Sequence, residues 1–298
     1  MNRHVLAGFV LALSLLVPGF SAAASSGAGA LHVEQVSSAG PAVILIPGLA
    51  CGAWAWEETA HRLAATHAVH VVTLAGFDGR PAMPGTTLAS LRQELRDLIV
   101  TKHLEKPVLV GHSLGGTLAL AFAAEDSALI SGVVAIDGLP VFPGTENAGS
   151  DRRALGESAR AQLAGQTPQQ FAAYQQTYMK QYGSIDERIA TRLAEQSSRS
   201  DAAATADFAA QVLELDLRPR LAGISVPVVE ISPFYAPDFA SMGIDEQRKA
   251  EYYRMLLGGV RDLEVVSISP ARHFVMFDQP EKFARTLDAA LRRISSRE

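Results

Sequence analysis

Residues 111–115 read GHSLG and set Ser113 between Gly111 and Gly115, with Gly116 following. The segment before it, PVLVG (107–111), is a short continuous apolar run of the kind buried on both faces of a sheet. The segment after it, LGGTLALAFAAED, carries a small-residue helical pattern. A serine on such a strand-to-helix turn is held in a strained conformation, with its hydroxyl projecting above the sheet. Glycine is required at 111 and 115 because a side chain there would strike a neighbouring strand or helix. The helix N-terminus adds N–H groups and a positive dipole end, which favour an oxyanion. A structural glycine turn with an incidental serine is the alternative. Strand, turn and helix together favour a nucleophile.

A serine hydroxyl is a weak nucleophile without a base. Among the histidines, His273 stands out by position. It lies in SISPARHFVMFDQPEKF, after the last strand and before the final helix. In a doubly wound sheet that loop lies at the carboxyl edge, beside the serine turn. His112 adjoins the serine, but adjacent side chains diverge at a tight turn, so packing or a structural hydrogen bond is its expected role.

The elements that must position these groups alternate. AVILIPGL (42–49), HVVTL (70–74), PVLVG, GVVAID (132–137), VPVVEIS (226–232) and LEVVSIS (263–269) read as strands. Residues 53–66, TTLASLRQELRDLIVTKHL with Thr87 as N-cap, and the closing FDQPEKFARTLDAALRRI read as helices. Such alternation predicts an α/β fold, a doubly wound and mostly parallel sheet with helices on both faces. Residues 139–223 break the pattern with helical segments alone, far more than a crossover needs. They read as a helical cap inserted over the strand ends, leaving 41–138 and 224–298 as the core.

The cap carries Phe171, Tyr174, Tyr178 and Tyr182 at spacings of three and four, one stripe on a helix. Such a stripe is more often core than ligand box; here its inner face would also roof the site. Tyr174, Tyr178 and Trp54 are the candidate substrate contacts.

The chain has 298 residues, 48% hydrophobic and 19% charged, with a net charge of −5. That is a globular composition with no basic tract for nucleic acid. There is no HExxH, Cys/His cluster, phosphate loop or GxGxxG, so neither metal nor cofactor is expected. The single cysteine, Cys51, can form no internal disulfide and reads as a small buried side chain. Residues 1–24 have a basic start, an apolar run over residues 5–17, a Pro-Gly break and three alanines at 22–24. This is the pattern of a secretory signal peptide cut after Ala24. The alternative is an uncleaved anchor, for which the run is short against the roughly 20 residues of a spanning helix. The expectation is an exported protein, periplasmic or secreted, with no stable membrane anchor after cleavage. Residues 25–40 read as a Ser/Gly/Ala-rich tether with one weak edge strand at 31–36.

Together IPGLACGAWAW, VTLAGFDGRP, VGHSLGG, ISVPVVEI and ARHFVMFDQPEKF resemble the α/β-hydrolase superfamily, over a span from Pro41 to Arg292. The resemblance implies an eight-stranded sheet, a cap after the sixth strand and the chain order serine, acid, histidine. It places the oxyanion hole at the N–H of Leu114 and of Leu49 or Ala50. Pro47-Gly48 here departs from the family's usual His-Gly. The acid commonly follows the seventh strand in a Gly-x-x-Asp pattern, which this chain lacks. The slot falls near Tyr235, and Asp238 lies three residues on. Asp245 reads as a helix cap. Asp137 competes, since some relatives take their acid from the sixth strand; its plainer role is a turn-forming Asp-Gly. Asp238 is preferred, with Asp137 as the alternative acid. The implied function is a serine hydrolase that cleaves a carboxylic ester of a small-molecule acyl substrate. A cofactor-free acyltransferase or perhydrolase on the same triad, and a non-catalytic binding protein of this fold, remain the alternatives.

Overall fold

The computed structural model describes residues 29–297. The signal-peptide reading therefore lies outside the described residues. Seven strands form one sheet: β1 (Leu31–Gln35), β2 (Ala42–Ile46), β3 (Ala68–Leu74), β4 (Val108–His112), β5 (Gly132–Ile136), β6 (Val228–Pro233) and β7 (Leu263–Ile268). Their order is β1-β3-β2-β4-β5-β6-β7. Only β1 runs antiparallel, pairing Leu31 with Leu74; the other neighbours are parallel. The expected sheet of eight is thus corrected to seven among the described residues, since the chain ahead of Ala42 supplies one strand, the edge strand in the tether.

The helices follow in chain order. They are α1 (Glu57–Leu63), α2 (Leu88–Thr101), α3 (Leu114–Asp126), α4 (Arg152–Leu163), α5 (Pro168–Tyr178), α6 (Glu187–Ser197), α7 (Ala202–Glu214), α8 (Ala236–Phe239), α9 (Glu246–Leu256), α10 (Val275–Asp278) and α11 (Pro280–Ser295). Thr87 caps α2, accepting from the Ser90 N–H while the Ser90 hydroxyl accepts from the Thr87 N–H. Residues 139–223 hold α4 to α7 and no strand of the sheet.

The apolar strand runs follow from burial on both faces. In β2, Ile44 and Ile46 pack with Leu91 and Leu95 of α2 and Leu118 and Phe122 of α3. Val43 and Leu45 pack on the opposite side with Leu63 of α1 and Leu287 and Leu291 of α11. The central strands are therefore rigid, and their carboxyl ends form a fixed platform. Ser113 follows β4 directly and Asp137 follows β5; the loop after β7 carries His273. Among the described residues, no helix is long and apolar enough to cross a membrane.

Candidate active site

Ser113 has φ 53° and ψ −118°, between the end of β4 and the first residue of α3. A positive φ is costly for a residue with a Cβ and persists only where the surroundings enforce it. The enforcement is visible. A Cβ on Gly111 would lie 2.2 Å from the Gly115 carbonyl oxygen, and one on Gly115 would lie 2.2 Å from that of Ile46. The turn is therefore wedged between its own helix and the loop after β2, as the two glycines predict. The Ser113 N–H donates to the Ile136 carbonyl at 2.8 Å, tying the turn to β5.

That tie brings a second strained residue alongside. Asp137 has φ 50°, a conformation that Asp tolerates better than most side chains. A Cβ on the next residue, Gly138, would lie 2.8 Å from the Ser113 carbonyl oxygen and 2.6 Å from the Gly116 Cα. The Asp-Gly turn and the serine turn thus pack backbone to backbone, and Gly138 is what lets them.

The His273 Nδ1–H donates to Asp137 Oδ2 at 2.5 Å. The other Asp137 oxygen accepts from the Tyr253 hydroxyl and lies 3.9 Å from Lys249 Nζ. Burial alone would raise the Asp137 carboxyl. The Lys249 cation and the hydrogen bonds from His273 and Tyr253 outweigh that and hold it well below the usual carboxylate range.

Asp238, the preferred acid from sequence, stands elsewhere. It lies in α8 and takes a two-pronged contact from Arg272, Nε to Oδ2 at 2.8 Å and Nη2 to Oδ1 at 2.6 Å. The guanidinium also lies over the Tyr235 ring, 5.0 Å from its centre. The carboxylate that meets His273 is Asp137, the alternative acid, and not Asp238, which Arg272 holds. Asp245 caps α9, accepting from the Arg248 N–H at 2.8 Å.

His112 is fully buried, and its Nε2–H donates to the His273 backbone carbonyl at 3.0 Å. Burial, with the neighbouring His273, lowers its imidazole to about 3, so it stays neutral. It pins the His273 loop to β4, the structural role expected of it.

The loop after β2 closes on itself through Cys51 N–H to the Gly48 carbonyl, 3.2 Å. A Cβ on Gly48 would lie 3.2 Å from the Ser113 Cβ, so this loop abuts the serine. Leu49, Ala50, Ser113 and Leu114 line one cavity of about 260 Å³ together with Tyr174 and Tyr178. Ser113, His273 and Tyr178 also line a larger cavity of about 580 Å³ that reaches Lys249, Arg272 and Asp238. The aromatic stripe does two jobs. Phe171 is buried, while the rings of Tyr174, Tyr178 and Tyr182 run on from it with centres 6.5, 6.3 and 5.5 Å apart.

Trp54, expected to touch substrate, lines neither cavity. Its ring stacks on Phe274 at 6.5 Å, and Phe274 lines the smaller cavity in its place. Trp54 lies in the turn Ala53–Trp56 that precedes α1 and shares a surface pocket with Phe277 and Arg192. Trp56 is wholly core. Cys51 is buried, and burial pushes its thiol far above the usual range, which leaves it inert.

Sequence reasoning passed over Glu230, Lys249 and Tyr253, which surround Asp137. Glu230 is a charged residue in an otherwise apolar central strand, VVEIS, and that anomaly was the signal available. It is fully buried, and neither side-chain oxygen makes a hydrogen bond. Burial, and the Asp137 charge beside it, raise its carboxyl well above the ordinary value of 4.5. Raised in the folded state, it costs stability as pH climbs past the unfolded value, because the unfolded chain then releases a proton that the folded one keeps. Glu230→Gln is therefore expected to match the wild type near pH 4 and to melt several degrees higher near pH 8. Thermal unfolding at the two pH values checks this; a gap that does not widen with pH would contradict it.

A strained serine on a strand-to-helix turn, sharing its cavities with a histidine that has its own carboxylate, on a sheet of this order, defines a class. The profile of the alpha/beta hydrolase family matches residues 43–286, and the chain belongs to that family. It is similar to a putative carbamate hydrolase of Yersinia enterocolitica, 34% identical over 111 residues, 36% of this chain and 40% of that protein. It is also similar to a pimeloyl-acyl-carrier-protein methyl ester esterase of Vibrio atlanticus, 30% identical over 108 residues, with the same shares. The chain spans less than half the length of these curated relatives. Among solved structures, an enol-lactonase from Burkholderia xenovorans has a TM-score of 0.68 at 18% identity, covering 88% of this chain and 96% of that one. An esterase from Thermogutta terrifontis has a TM-score of 0.68 at 21% identity, covering 89% and 93%. These two likenesses show the fold.

Proposed function

We propose that the protein is an exported serine hydrolase that cleaves a carboxylic ester of modest size through an acyl-enzyme. The observation that carries this is the Ser113 turn at positive φ sharing its cavities with a His273 that donates to Asp137. In this reading His273 takes the Ser113 proton as the oxygen attacks the carbonyl carbon. The Leu49 and Leu114 N–H groups receive the oxyanion, and His273 returns the proton to the leaving alcohol. Water, deprotonated by the same imidazole, then releases the acid and restores the serine. Asp137 fixes the Nδ1–H tautomer, so that Nε2 is the basic nitrogen, and stabilises the imidazolium.

The helices of residues 139–223 act as a cap, roofing the serine with Tyr174 and Tyr178. No metal or cofactor enters the scheme, and the partner is a small acyl substrate. Export rests on the leader-like residues 1–24. The esterase and carbamate hydrolase among the relatives are consistent with acyl chemistry on such a site.

The test is covalent labelling. A fluorophosphonate probe is expected to add one equivalent to the mature protein, with the adduct mapped by mass spectrometry to the peptide that holds Ser113. p-Nitrophenyl esters of short to medium acyl length are expected to be turned over. A wild type that neither labels nor hydrolyses any ester of the series removes the hydrolase reading.

A further inference from the structure

Asp245 caps α9, and the i, i+4 spacing puts Lys249 and Tyr253 on one side of that helix. That side faces Asp137. Tyr253 gives its hydroxyl proton to Asp137 Oδ1, and Lys249 Nζ lies 3.9 Å from the same oxygen. Oδ2 is left to His273. The Lys249 side chain is only 12% exposed. Its ammonium donates to the Pro233 carbonyl at the end of β6 and lies over the rings of Tyr253 and Phe239, 5.0 and 5.4 Å from their centres. These contacts fix where the charge sits. Lysine is a compact, strongly hydrated cation that is seldom buried without a counter-charge, and Asp137 is the carboxylate within ion-pair reach among the described residues.

The other groups around the Asp137–His273 pair are shifted towards their neutral forms or are paired with an opposite charge. His112, from β4, is held neutral by burial. Burial, with the Asp137 charge, raises the carboxyl of Glu230, from β6, well above its ordinary value and favours its neutral form. The phenols of Tyr178 on α5 and Tyr253 on α9 are pushed up by burial. Arg272, next to His273 in the chain, is matched by Asp238. Lys249 is therefore the cation whose counter-charge, among the described residues, is Asp137 itself.

We propose that Lys249 is a positioning residue: with Tyr253 it fixes the Asp137 carboxylate at the end of β5, and its charge acts through that carboxylate on His273. The proposal rests on the assignment of Ser113, His273 and Asp137 as the reacting groups. Its sign follows from charge. A nearby cation opposes the imidazolium, so removing Lys249 lets His273 protonate at higher pH, and a base that must be neutral is lost sooner as pH falls.

The experiment compares wild type, Lys249→Met, Lys249→Gln and Lys249→Arg. Lys249→Gln can still donate to the Pro233 carbonyl, and Lys249→Arg restores the charge. Two readouts are taken: the titration midpoint of the His273 imidazole by NMR, and the pH profile of kcat/KM on p-nitrophenyl acetate, an uncharged ester. Both neutral variants are expected to move the His273 midpoint and the acidic limb upward together by about one pH unit. Lys249→Arg is expected to bring both back towards wild type, and melting curves show which variants fold. An unmoved His273 midpoint in either folded neutral variant overturns the proposal. So does a rise in KM with no movement in pH, which would make Lys249 a substrate contact. The NMR readout needs no turnover. If the wild type is inert to every ester and probe while the midpoint still moves, the hydrolase reading fails and the clamp on Asp137 stands.

Discussion

Asp137→Asn is expected to lower kcat by about ten-thousandfold, while Asp238→Asn stays within a few-fold of wild type. An amide at 137 cannot stabilise the imidazolium, and where its NH2 group donates to Nδ1 that nitrogen must accept, which puts the ring proton on Nε2, the wrong tautomer. Tyr253 and Lys249 would lose their counter-charge at the same stroke. Asp238 serves Arg272 instead. Both members of that pair are partly exposed, so breaking it costs at most about 1 kcal/mol of stability. Steady-state kinetics on p-nitrophenyl esters, with melting curves to verify folding, separate the two variants. The larger fall in Asp238→Asn would return the acid to the loop after β6 and detach Asp137 from catalysis. Burial costs Asp137 its ordinary acidity, but its partners more than compensate. The carboxylate therefore stays ionised through the working range.

Ser113→Ala and His273→Ala are each expected to remove about a millionfold of kcat, and the double variant no more than either alone. Groups that act as one unit in a single proton transfer fail together, since the serine is inert without its base and the base has nothing to activate without the serine. Residual activity of about a thousandfold over water would remain from the oxyanion N–H groups. Active-site titration with the fluorophosphonate probe is needed to exclude wild-type contamination at this level. Additive losses would mean that the two residues act in separate steps and would break the proposed mechanism.

Much of the frame was legible before any coordinates. The runs AVILI, VLVG and GVVAI are continuous because their strands are covered on both faces, and only central parallel strands need that. GHSLG marked the serine turn because Gly111 and Gly115 answer a local demand, the approach of helix and loop to within 2.2 Å of where a Cβ would sit. His273 was found by its place after the last strand. Thr87 and Asp245 were found as caps because capping depends on a few consecutive residues.

The rest depended on distance in space. Asp238 and Asp137 both follow strands, and their flanking residues do not say which one meets His273. The answer came from the sheet order, in which β5 lies directly beside β4, and from Gly138, whose bare Cα lets the Asp-Gly turn press against the serine turn. It also came from Arg272, which neutralises Asp238 within its own corner of the cavity. Trp54 went astray for the same reason: its neighbours in sequence fix a short turn, but the direction of that turn is set by Phe274, more than two hundred residues away. Lys249, Tyr253 and Glu230 reach Asp137 from α9 and β6, and no local pattern records that meeting. The strand runs, the serine turn and the histidine loop could be read from the chain alone, because each is written in contiguous residues, whereas the number and order of the strands could not. The tertiary structure decided the carboxylate and the charges around it, because an electrostatic partner is chosen by ångströms across the fold and not by spacing along the chain.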